Sequence, residues 1–148
     1  MPHFTLNIDP AGPLVAALVH VSEGRRAALE AGGIAVPGPR QIRALVDTGA
    51  SFTSIQPEVM HALGLSPTGT VDIVTPSTGQ DVHTAETYDV DFVVPKAPNE
   101  LPLLIPNLRV AACELYLRQG IHALIGRDVL TRCVLIYNGE QGVFTLAF

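Results

Sequence analysis

A chain of 148 residues that is 47% apolar and 16% charged is long enough to bury a core, and it is too apolar to stay disordered. Nine basic against fourteen acidic residues leave a net charge of −5, which argues against nucleic acid, since phosphate binding needs a basic surface. No run approaches the roughly 20 apolar residues that span a bilayer, and MPHFTLNIDPAG at the start lacks the basic-then-apolar order of a signal peptide.

Proline and glycine punctuate the chain, with 12 and 13 copies. Between them lie short runs rich in β-branched and aromatic residues: HFTLNI, LVAALVHV, IRALV, TVDIVT, TYDVDFVV, LLIPNLRVAA, CVLIY and GVFTLAF. Runs of this length bounded by turn residues predict strands. In TYDVDFVV the side chains alternate, so Tyr88, Val90, Phe92 and Val94 share one face while Asp89 and Asp91 take the other. Helices are predicted over 22–33, closed by a glycine pair, over 57–65, opened by proline, and over 126–133. YNGEQGV carries the Asn-Gly signal of a hairpin near the end. No repeat or boundary divides the chain, so residues 1–148 read as one mostly-β domain.

The candidate chemistry starts at RALVDTGASF, residues 43–52, where an apolar strand ends on Asp47. A buried unpaired carboxylate is costly. Asp47 therefore either caps a turn or does chemistry. Other sites are poorly supported. The five histidines (3, 20, 61, 83 and 122) have no ligand spacing and HExxH is absent, so no metal is expected. Ser51 and Ser54 lack a GxSxG context. Cys113 and Cys133 show no CxxC pattern and read as reduced thiols of a cytoplasmic protein.

Asp47-Thr48-Gly49-Ala50-Ser51 after an apolar strand, a hairpin following it, and ALIGRDVL at 123–130 together resemble the retropepsins. These are single-domain aspartic peptidases of retroviral type with cellular and bacterial relatives. The resemblance covers about residues 40 to 148 and implies a retropepsin-like acid-protease barrel or sandwich with short helices, a ψ-type catalytic loop and a β-hairpin flap. It implies that Asp47 is catalytic, that Thr48 ties two catalytic loops together, that Gly49 and Ala50 border the substrate, and that Leu124 lines a pocket. Ile125, Gly126 and Arg127 would support the site by packing against the catalytic loop. The hairpin 71–90 would be the flap, with Ser77, Thr78, Gly79 and Gln80 at its tip against the substrate.

Two carboxylates sharing one proton can activate a water for peptide hydrolysis. The chain supplies one Asp-Thr-Gly, so the resemblance implies a C2 homodimer acting on a polypeptide without a cofactor. It also implies that the chain ends, including the apolar 142–148, interleave into a shared sheet with those of the partner copy, and HFTLNI at the start is a candidate neighbour for that last strand. One position departs from the family. Retroviral members carry an aspartate four residues after the catalytic one, paired with the arginine that matches Arg127, and this chain has Ser51 there. A second function remains open for the same fold: a catalytically weak peptide-binding or dimerisation module.

Overall fold

The computed structural model describes residues 1–74, 81–96, 100–115 and 120–148. Among these residues ten strands and three short helices follow in the order β1 (His3–Asn7), β2 (Leu14–Val21), α1 (Glu23–Ala31), β3 (Arg40–Val46), β4 (Ser54–Ile55), α2 (Pro57–Ala62), β5 (Gly69–Ile73), β6 (His83–Val94), β7 (Leu103–Ala112), β8 (Ala123–Ile125), α3 (Arg127–Leu130), β9 (Val134–Asn138) and β10 (Val143–Ala147). The eight sequence-predicted strands all form. The two that periodicity does not announce are β4 and β8, of two and three residues, too short to display any alternation.

Six strands close on themselves in the order β2-β3-β8-β4-β7-β6, with β6 returning to β2 through Leu18↔Val93 to Val21↔Val90. Closure removes the exposed edges that an open sheet would present. The fifth strand extends the barrel from the first half of β6, pairing Ile73 with His83. Alternation along β6 holds as expected: Tyr88, Val90, Phe92 and Val94 are buried, while Asp89 and Asp91 stay half-exposed. Opposite Asp91 the β7 strand holds two extra-wide positions, Pro106 and Asn107, where the register slips between Val90↔Leu108 and Phe92↔Ile105. Proline has no N–H to give to a ladder and is tolerated at such a bulge. Asn107, at φ 50, donates its N–H to Asp91 Oδ1 at 2.8 Å.

Helix α1 begins where Ser22 Oγ accepts the N–H of Arg25. It ends at Gly32 and Gly33, the latter at φ 65, a left-handed conformation that closes a helix without a Cβ penalty. Helix α2 opens on Pro57, whose missing N–H has no intrahelical partner at that position anyway, and it buries Val59 and Met60 against the barrel.

The N-terminal run HFTLNI is the neighbour of the last strand, as expected, and it pairs there within one chain. Within one chain β10 is the middle strand of a separate three-stranded sheet, β1-β10-β9, with His3↔Ala147 on one side and Asn138↔Val143 on the other. The predicted terminal hairpin 137–143 brings β9 alongside, and the N-terminal strand fills the other edge. Phe144 and Leu146 are fully buried and join the barrel residues in one hydrophobic core. No helix among the described residues is long and apolar enough to cross a membrane.

Candidate active site

The third strand carries the chain through the core, with Ile42, Ala44 and Val46 buried, and delivers Asp47 at its end. The strand β8 lies directly beside it in parallel, Ala44↔Ala123 to Val46↔Ile125, and the ladder continues into the turn: Asp47 N–H donates to Ile125 O at 3.0 Å. Asp47 is half-buried, and Thr48 and Gly49 are exposed. The Asp47 carboxylate accepts the N–H of Gly49 on Oδ1 at 2.8 Å, and Ala50 N–H reaches back to Asp47 O at 3.2 Å. Asp47 thus does shape its turn, as the plainer reading held. One such bond satisfies little of a carboxylate's acceptor capacity.

The eighth strand separates β3 from β4, running parallel to the first and antiparallel to the second through Ser54↔Leu124 and Ile55↔Ala123. The chain leaves β3, turns at Asp47-Thr48-Gly49 and passes around the end of β8 into β4. A segment 79 residues further along (Asp47 to Gly126) thereby threads the loop that bears the carboxylate. Gly126 sits where the two segments cross. A Cβ there would lie 2.7 Å from Phe52 C and 2.9 Å from Phe52 O, both backbone atoms. Glycine is required by this approach. Leu124 is half-buried between fully buried Ala123 and Ile125.

Arg127 resolves the missing family salt bridge in another way. Its N–H donates to Ala50 O at 2.9 Å, and its Nη1 donates to Thr48 O at 2.9 Å and Gly49 O at 3.2 Å. The guanidinium clasps the carbonyls of the turn where a carboxylate at position 51 would otherwise receive it.

Two residues that sequence reasoning passed over complete the clasp. Thr53 is fully buried; its Oγ1 donates to Asp128 Oδ1 at 2.7 Å and accepts the N–H of Gly126 at 3.1 Å. Asp128 Oδ2 accepts Thr53 N–H at 3.0 Å, and Oδ1 also accepts Val129 N–H at 3.0 Å. The only local signal was an acidic residue in the first turn of a predicted helix. Its partner lies 75 residues away. Thr53→Val is expected to destabilise the fold by about 2 kcal/mol, because it strands the buried Gly126 N–H and takes one of two donors from Asp128 Oδ1. Thr53→Ser, which keeps the hydroxyl, should lose much less. Urea denaturation of the two variants measures the difference.

The structure therefore brings Asp47, Thr48, Gly49 and Ala50 together with Leu124, Ile125, Gly126 and Arg127. Ser77, Thr78, Gly79 and Gln80 lie outside the described residues. The strands that lead to them, β5 and β6, do form an antiparallel pair. The two thiols are not poised nucleophiles: burial pushes both Cys113 and Cys133 above the usual thiol range, only partly offset by a Ser54 hydrogen bond at Cys113 and by the Arg132 charge at Cys133. No group of three His, Cys, Asp or Glu side chains suited to a metal occurs among the described residues.

A family profile described as "Aspartyl protease" matches residues 32–129, which include every element of the crossing. The crystal structure of a retropepsin-like aspartic protease from Rickettsia conorii is similar over 99% of this chain and 90% of that one, with a TM-score of 0.55 and 16% sequence identity. At that identity the likeness establishes the fold alone. No curated protein matches the chain.

Proposed function

From the premise that the chain belongs to the aspartyl protease family and has the retropepsin-like fold, we propose that it is an aspartic endopeptidase active as a C2 homodimer. The observation that carries this reading is the half-buried Asp47 held at the strand end by a turn that is clasped from Ile125 and Arg127. A rigidly held carboxylate suits general acid–base work better than a mobile one. One chain presents one such carboxylate, so the second comes from the same residue of the partner copy. Thr48 is exposed and its hydroxyl has no partner among the described residues, which fits a bond to the facing loop. On the three-stranded sheet Val134 and Ile136 are about half exposed, leaving apolar surface for self-association.

In the proposed reaction one Asp47 carboxylate takes a proton from a water held between the pair. The oxygen of that water attacks the peptide carbonyl carbon while the other, protonated Asp47 gives its proton to the carbonyl oxygen. Collapse of the tetrahedral diol breaks the C–N bond: the leaving amine takes the proton that the first Asp47 drew from water, and the second Asp47 takes back a proton from a diol hydroxyl as the carbonyl re-forms. Two close carboxylates share one proton readily because both cannot ionise together. Gly49 and Ala50 border the peptide backbone, Leu124 forms part of a side-chain pocket, and Ser77 to Gln80 form the tip of a covering flap that excludes water. Residues 1–148 act as one unit, without cofactor or metal, on a polypeptide in the reducing cytoplasm.

The intact Asp47-Thr48-Gly49 favours the enzyme over a binding module, which has no use for a shared proton. The test is incubation with a random peptide library across protein concentrations, alongside sedimentation. Specific activity should fall on dilution as dimers separate. A sedimenting monomer that keeps its full specific activity would rule out the shared site.

A further inference from the structure

We infer that Arg127 is a specificity-determining residue, and that it anchors a carboxylate of the substrate, an Asp or Glu side chain within about three residues of the scissile bond. The inference rests on the peptidase reading above. Arg127 is exposed, and its Nη1 alone serves the carbonyls of Thr48 and Gly49. A guanidinium has five N–H donors in a planar fork. The edge formed by Nε and Nη2 bonds to no described residue, and that edge has the geometry for a side-on, two-bond contact with a carboxylate.

No described acidic side chain competes for it. The neighbouring Asp128 is occupied by Thr53 and Val129, Asp47 Oδ1 accepts from Gly49, and the ion pairs among the described residues are Arg43–Asp9, Lys96–Glu100 and Arg109–Asp89. Ser51 is exposed and uncharged, directly after Ala50, whose carbonyl receives the Arg127 N–H. An unneutralised cation is therefore fastened to the turn that bears the reacting carboxylate. Its Nη1 bonds already hold the side chain in place, so less rotamer freedom remains to be lost when a ligand binds. A carboxylate-lined cleft would by itself repel acidic peptides. Arg127 reverses that sign at one point.

The experiment uses octapeptide libraries with one position at a time fixed as Glu or as Gln, two side chains of the same shape. Cleavage is followed with the wild-type protein and binding with Asp47→Asn, each with and without Ser51→Asp. The substitution at 51 leaves Arg127 in place and supplies it with an internal carboxylate. The expected result is a Glu preference of roughly fivefold to tenfold at one position, weakened by salt and brought close to one by Ser51→Asp, while Gln peptides react as before. Because the readout is a ratio on one protein, general damage to the fold does not move it. Equal handling of Glu and Gln peptides at every position overturns the inference, as does a Glu preference that survives Ser51→Asp. A Glu preference in binding without any cleavage by the wild type upholds the anchor and defeats the peptidase reading. Cleavage without preference does the reverse.

Discussion

Asp47→Asn is expected to lower peptide cleavage by about 10³-fold or more while leaving the melting temperature nearly unchanged. The two halves of this result have separate causes. An amide cannot take a proton from water or hand one to a carbonyl oxygen, and in a homodimer the change removes both carboxylates at once. The fold is spared because the one described bond to the Asp47 side chain is the N–H of Gly49 donating to Oδ1 at 2.8 Å. The carbonyl oxygen of Asn accepts the same bond. The Asp47 N–H to Ile125 O bond belongs to the backbone and is indifferent to the side chain. Peptide assays with matched thermal denaturation decide the matter. Cleavage at the wild-type rate would sink the catalytic assignment, and a large drop in melting temperature would return Asp47 to the role of a turn residue.

Gly126→Ala is expected to cost about 3 kcal/mol or more of stability and to abolish most activity in whatever folded protein remains. The added methyl would meet Phe52 C at 2.7 Å and Phe52 O at 2.9 Å. These are main-chain atoms in the segment between the Asp47 turn and β4, so no side chain can rotate away to make room. Relief requires the two crossing segments to part. That motion pulls on the bonds Gly126 N–H to Thr53 Oγ1, Arg127 N–H to Ala50 O and Asp47 N–H to Ile125 O, which set the position of the carboxylate. A displacement of about 1 Å at a reacting group can cost roughly 10²-fold in rate. Gly24→Ala is the control: a Cβ at Gly24 meets nothing within 4 Å. It should be neutral or slightly stabilising in a helix. Urea denaturation curves of the two alanine variants compare them directly, and equal stability would show that the crossing tolerates a side chain.

Much of this molecule is written in short stretches of sequence. Alternation along 87–94 placed Tyr88, Val90, Phe92 and Val94 inside, and the structure buries all four. The glycine pair at 32–33 and Pro57 marked helix ends that form where expected. These features depend on neighbours one to four residues apart, and the chemistry of those neighbours is enough to decide them. The motif around Asp47 and the ALIGRDVL segment were legible too, as a resemblance. What local pattern could not decide was every contact between distant segments. The strands β4 and β8 have no period to read in two and three residues. They exist because, side by side, they bridge the longer strands β3 and β7. The closure of β6 onto β2 and the bonding of Thr53 to Asp128 across 75 residues arise only when the chain has folded. The fate of Arg127 belongs to the same class. Ser51 told that its usual carboxylate was missing, but only the threading of β8 past the Asp47 turn put the carbonyls of Thr48 and Gly49 within its reach. Hydrogen bonds of this kind depend on where two backbones cross, and a crossing is a property of the whole chain's packing.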